Sequence, residues 1–237
     1  SGPEYRKTAQ GKLMGVALGH GGELEAALRP GVNFISIPMQ GRAFTAFDPR
    51  GGLRPGFAAA LSGKLAAADA AGLVVELVLF HPARDEEFFS TEAIVEAARN
   101  VAGGVIAENR RNVILNFAGD WTAPGWDFGS WIPLHFEELA EAVRARFQAE
   151  RAGYTAPVAL TAPVRLPEDA PLIRAADLLL LSGEALALDP RKIERPAVAV
   201  GAEACPQGFA RLSGCVLAGA GEAAGAAEAG LGEPPAR

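Results

Sequence analysis

Three tryptophans fall within eleven residues, Trp121, Trp126 and Trp131, and two carboxyl side chains, Asp120 and Asp127, stand among them. Flat aromatic faces beside acids are the ingredients for holding a polar, ring-shaped ligand: the rings stack against it and the carboxylates accept hydrogen bonds from its hydroxyls. The same composition fits an aromatic plug over the end of an apolar core, and the segment alone does not separate the two. It follows directly on the apolar run Asn112 to Phe117, so its meaning depends on what that run becomes.

Runs of this kind recur. Short stretches rich in Val, Leu and Ile predict strands over Leu13 to Leu18, Val32 to Pro38, Leu73 to Phe80, Asn112 to Phe117, Pro157 to Thr161, Asp177 to Leu181, Pro196 to Val200 and Gly214 to Leu217. Between them, helical spacing and end signals predict helices over Phe57 to Ala71, Thr91 to Asn109 and His135 to Ala152, stopped in two cases by Gly72 and Gly153. Shorter helices are expected near Glu168 to Ala176, Glu184 to Leu188 and Pro206 to Leu212. Eight strands with intervening helices predict one α/β domain over residues 1–237, a compact (β/α)8 TIM barrel with short later helices and a frayed tail over about 221–237. The rival, an open doubly wound sheet, lacks a Gly-rich fingerprint after the first strand.

In such a barrel the chemistry gathers where strands end. That rule selects His81 after the third strand, Asp120 and the tryptophans after the fourth, Ser182 and Glu184 after the sixth, and Glu203 after the seventh. Strand alternation sends Asn116 inward with Asp120, where it would hydrogen-bond inside the barrel. Glu76 has the opposite parity to His81, so a basic partner on a covering helix is expected for it.

The net charge of -6 comes with Lys and Arg spread along the chain, which argues against nucleic acid as a partner. No apolar stretch approaches the roughly 20 residues of a bilayer span. Cys205 and Cys215 read as buried thiols, a disulfide being the lesser alternative, and no metal-ligand spacing or cofactor motif is present. The chain begins Ser1-Gly2-Pro3 without Met, which fits an exported protein whose signal peptide has been removed and leaves the compartment open. Oligomeric state is equally open.

Several of the strand-end segments resemble the clan A glycoside hydrolases, nearest the family 5 cellulase-like barrels. Gly31-Val-Asn-Phe-Ile-Ser-Ile-Pro38 is similar to the second-strand pattern Gly-x-Asn-x-x-Arg-x-Pro. Ala71 to His81 resembles the third strand, where a His closes an apolar run, and Asn112 to Asp120 resembles the fourth, which ends in Asn-Glu. Arg195-Pro-Ala-Val-Ala-Val-Gly-Ala-Glu203 resembles the seventh, which carries the nucleophile. The departures bear on chemistry. Ser36 stands for the Arg, Gly119 for the Asn and Asp120 for the acid/base Glu; Glu203 lies one residue late, and Gly214 to Ala220 lacks the usual Trp.

The resemblance implies carbohydrate binding at the C-terminal face of the barrel, with an oligo- or polysaccharide as partner. It implies Asp120 and Glu203 as the catalytic pair, with His81, Trp121, Trp126, Trp131, Asp127 and Glu184 as substrate contacts and no metal. A retaining glycosidase holds its carboxyls roughly 5 to 5.5 Å apart, and the shorter Asp side chain widens the gap towards inverting geometry. Taken singly, Asp120 also suits a turn cap and Glu203 a helix cap. Two alternatives stand beside hydrolysis: a catalytically inactive glycan- or protein-binding barrel, and a phosphate-binding barrel enzyme using the glycines of Leu217 to Gly225, where Glu222 would repel the phosphate.

Overall fold

The computed structural model describes residues 13–17, 24, 33–119, 121–123, 125–126, 131–162, 171–182, 196–202 and 214–217. The fold is mixed α/β, built on a curled parallel sheet. Five neighbouring strands of it are β2 (Phe34–Pro38), β5 (Val74–Phe80), β6 (Val113–Ala118), β7 (Val158–Ala162) and β8 (Leu178–Leu181). They pair in that order, with Ser36 opposite Glu76, Val78 opposite Asn116 and Thr161 opposite Leu180. Parallel pairing continues through β9 (Ala197–Ala202) and β10 (Gly214–Leu217) to β1 (Leu13–Ala17), which returns to β2 and closes the ladder. All eight expected strands are present, with ends shifted by two residues at most.

Helices cover the outside of this sheet. Helix α1 (Pro55–Ala70) starts on Pro55, whose missing N–H costs nothing in a first turn, and stops where Gly72 takes φ +70°. Helix α2 (Thr91–Ala107) is capped by Ser90, whose side chain accepts the Ala93 N–H. After the short α3 (Trp131–Leu134) comes α4 (Phe136–Ala149), which ends three residues before the expected boundary because Arg151, at φ +51°, already takes the left-handed position assigned to Gly153. The first of the expected short helices is α5 (Pro171–Ala175); the others fall in 183–195 and 203–213, outside the described residues.

Strand alternation divides the core in two. Ile35, Val75, Leu77, Leu115, Phe117, Leu160 and Leu179 face the helices, where they meet Leu65, Ile94, Val101, Leu139 and Phe147. Phe117 and Phe136 meet edge to face at 5.2 Å and fasten β6 to α4. The opposite strand faces form a second cluster of Phe34, Val74, Ile114, Ala159, Leu178 and Leu180, inside the curl of the sheet. Every residue of β6 is buried because both its faces are covered, which explains its continuous apolar reading.

The sequence expectations lack the short α3, the 3-10 turn Asp85–Glu87 and a hairpin. Gln40–Gly41 (β3) and Phe44–Thr45 (β4) form an antiparallel hairpin directly after β2. It is fastened to the sheet by Met39 N–H on the Val78 carbonyl at 2.7 Å, and Ala46 N–H bonds back to the Met39 carbonyl at 2.8 Å. Phe44 also stacks on Phe57 of α1. Two-residue strands carry too little alternation to be legible.

Candidate functional site

One polar side chain interrupts each of four neighbouring strands at a similar height: Ser36, Glu76, Asn116 and Thr161. They lie on the inner face, one step further along the strands than the apolar floor of Phe34, Val74, Ile114 and Ala159. Asn116 Nδ2 donates to Glu76 Oε1 at 2.6 Å and to Thr161 Oγ1 at 2.7 Å. Its Oδ1 accepts the Ala118 N–H at 3.2 Å, which fixes the amide orientation. Ser36 completes the belt with a hydrogen bond to Glu76.

Glu76 is 4 % exposed, and burial pushes its carboxyl above the usual carboxylate range, opposed in part by the hydrogen bonds from Asn116 and Ser36. This corrects the expectation of a basic partner on a covering helix. The parity argument failed because β5 ends at Phe80, and His81 belongs to a turn closed by Arg84 N–H on the His81 carbonyl. A residue in a turn gives no inward reference. Asn116 bonds inside the sheet as its parity predicts. The signal that groups Ser36, Glu76 and Thr161 is one polar residue in each apolar run, which strand parity taken from His81 hides.

At the C-terminal end of β5, the His81 backbone N–H donates to Gln40 Oε1 at 3.1 Å, and Gln40 Nε2 donates to Thr45 Oγ1 at 2.9 Å. His81 Nδ1 accepts the Ala83 N–H at 3.1 Å, so the neutral ring carries its proton on Nε2 and offers a donor there. Burial, then the charges of Arg42 and Arg84, lower the imidazole pKa and favour that neutral form. Arg84 reaches the carbonyls of Gly41 and Arg42 and pairs with Glu87, tying the hairpin tip to the turn after β5.

Beyond β6, Trp126 is 8 % exposed and belongs to the helix-facing core, while Trp121 is half-buried against it. Trp121 borders a small cavity with Asn116, Phe117, Ala118, Ile132 and Phe136. Both indole N–H groups are buried without an acceptor among the described residues. Trp131 opens α3. Asp120, Asp127, Glu184 and Glu203 lie outside the described residues, as do Cys205 and Ala218 to Gly225. Among the described residues no three His, Cys, Asp or Glu side chains are grouped to hold a metal ion, and no helix is long and apolar enough to cross a membrane.

No protein-family model and no curated protein matches the chain. Solved structures do. A Bacteroides vulgatus protein assigned provisionally to the glycoside hydrolases is 17 % identical with a TM-score of 0.59 over 92 % of this chain. The chain spans about half of that protein, 54 % of its length. The GH53 catalytic domain of Ignisphaera aggregans is 13 % identical with a TM-score of 0.52, over 88 % of this chain and 74 % of its own. A GH113 β-1,4-mannanase is 15 % identical with a TM-score of 0.50, over 86 % of this chain and 75 % of its own. At these identities the likeness is one of fold alone.

Proposed function

We propose that this chain is a single-domain (β/α)8 barrel of the glycoside hydrolase type, nearest the family 5 cellulase-like branch, that binds an oligo- or polysaccharide at its C-terminal face. The observation that carries the reading is the inner face itself: an apolar floor gives way to the Ser36–Glu76–Asn116–Thr161 belt, with His81 beyond it at a strand end. Polarity increases towards the end of the strands at which barrel enzymes bind their ligands.

In this reading His81 donates from Nε2 to a sugar hydroxyl and Trp121 offers a partly open ring face, with Trp126 supporting it from the core. Trp131, Asp127 and Glu184 complete the contacts. Asp120 serves as the acid and Glu203 as the nucleophile or base. Turnover of a panel of aryl glycosides by the wild type, Asp120→Asn and Glu203→Gln tests the assignment. Loss of at least about a hundredfold in each variant is expected. Activity equal to wild type in both removes the pair.

A second reading, carbohydrate binding without hydrolysis, is favoured by Gly119-Asp120, where the carboxyl stands one methylene shorter than in the family pattern. Oligosaccharide binding by calorimetry with no turnover on the same panel would select it.

A further inference from the structure

Asn116 stands at a junction. On one side it bonds Glu76 of β5 and Thr161 of β7; on the other it lines the cavity against which Trp121 rests, and its Oδ1 holds the Ala118 N–H at the end of β6. We propose that Glu76 is a positioning residue: with Asn116 and Thr161 it forms a buried strap across β5, β6 and β7 that sets the end of β6 and the seat of Trp121.

The argument rests on geometry. Asn116 spends both amide hydrogens sideways, on the two neighbouring strands, at 2.6 and 2.7 Å, so its side chain has one available orientation. That orientation points Oδ1 at the Ala118 N–H, which ties the end of β6 to the amide. The groups facing Glu76 are Ser36 from β2 and Asn116 from β6, and among the described residues no charged group contributes to its titration. Burial favours the protonated carboxyl while the hydrogen bonds from Asn116 and Ser36 favour the ionised one, so a change of protonation alters the strap's hydrogen bonds. The role of Glu76 in ligand binding rests on the function proposed above, whereas the strap itself does not.

The test reads the Trp121 indole N–H resonance by 15N–1H NMR, assigned with Trp121→Phe. In Glu76→Leu the resonance should move while circular dichroism stays native, and Thr161→Val should move it in the same direction by less. Glu76→Gln, which keeps an acceptor for Asn116, should leave it in place. In the wild type it should shift with pH in one step above the ordinary carboxylate range, and Glu76→Gln should abolish that step. A resonance unmoved in Thr161→Val and across the wild-type pH series overturns the strap, even if Glu76→Leu fails to fold. Oligosaccharide affinity should fall about tenfold in Glu76→Leu and recover in Glu76→Gln. A wild type that binds no oligosaccharide refutes the proposed function and leaves the indole result to decide the strap.

Discussion

Glu76 Oε1 accepts a hydrogen bond from Asn116 Nδ2 at 2.6 Å across forty residues of sequence, in a part of the sheet that excludes water. Because burial raises the Glu76 pKa, stability depends on pH in a defined direction. Below the unfolded value of about 4.5 both states are protonated and the full contribution is present. It is lost as pH rises through the higher folded pKa, because the unfolded chain ionises first. Urea midpoints should therefore fall from acidic to neutral pH more steeply in wild type than in Glu76→Gln. Parallel curves for the two proteins would contradict the assignment.

Asn116→Leu leaves one hydrogen-bonding group unsatisfied on each of Glu76 and Thr161 in the interior, with Ser36 still bonded to Glu76. The expected loss is about 1–3 kcal/mol for each unsatisfied group, read as a lower urea midpoint at unchanged slope. An unchanged midpoint would mean that the belt contributes nothing to folding.

His81 titrates in the opposite sense. Its pKa is lowered by burial, with Arg42 and Arg84 adding to the effect, so its contribution is present above the unfolded value of about 6.5 and is lost as pH falls through the folded pKa. Imidazole NMR should show a midpoint below 6.5, and Arg42→Gln should raise it. A midpoint indifferent to Arg42 would place that guanidinium elsewhere.

The two described indoles answer differently to truncation. Trp126→Ala opens a hole in the helix-facing core and should cost about 3–5 kcal/mol. Trp121→Phe keeps the ring packing and removes a buried N–H that has no acceptor among the described residues, so its stability should lie within about 1 kcal/mol of wild type. A large loss in Trp121→Phe would show that the indole N–H has an acceptor in solution.

Glycine replacements separate turn from helix. Gly51 has φ +86°, and a Cβ there would stand 2.2 Å from the Ala93 carbonyl oxygen, so Gly51→Ala should cost more than about 2 kcal/mol. Gly63 lies within α1 with open space around its missing Cβ, so Gly63→Ala should stabilise by about 0.5–1 kcal/mol. Thermal melts of the pair should move in opposite directions.

The strands were legible because parallel strands covered on both faces must be apolar throughout, and β6 is the plainest case. Helix ends were less so: Arg151 takes a left-handed conformation that sequence reading assigns to glycine or asparagine. Within the site, the placement of His81 after an apolar run was readable, but its backbone tie to Gln40 was not, since it depends on a hairpin too short to show periodicity. Glu76 was misread for a related reason. Strand parity holds only to Phe80, and the residue chosen as the inward reference lay beyond it.

The hairpin after β2 is fastened on three sides: to β5 by Met39, to its own base by Ala46, and at its tip by the Arg84 guanidinium. A wall secured in this way has surrendered its freedom before any visitor arrives. For the ligand proposed above, that side would select by fit rather than by closure, because the entropy a loose loop would lose on capture has already been lost in folding.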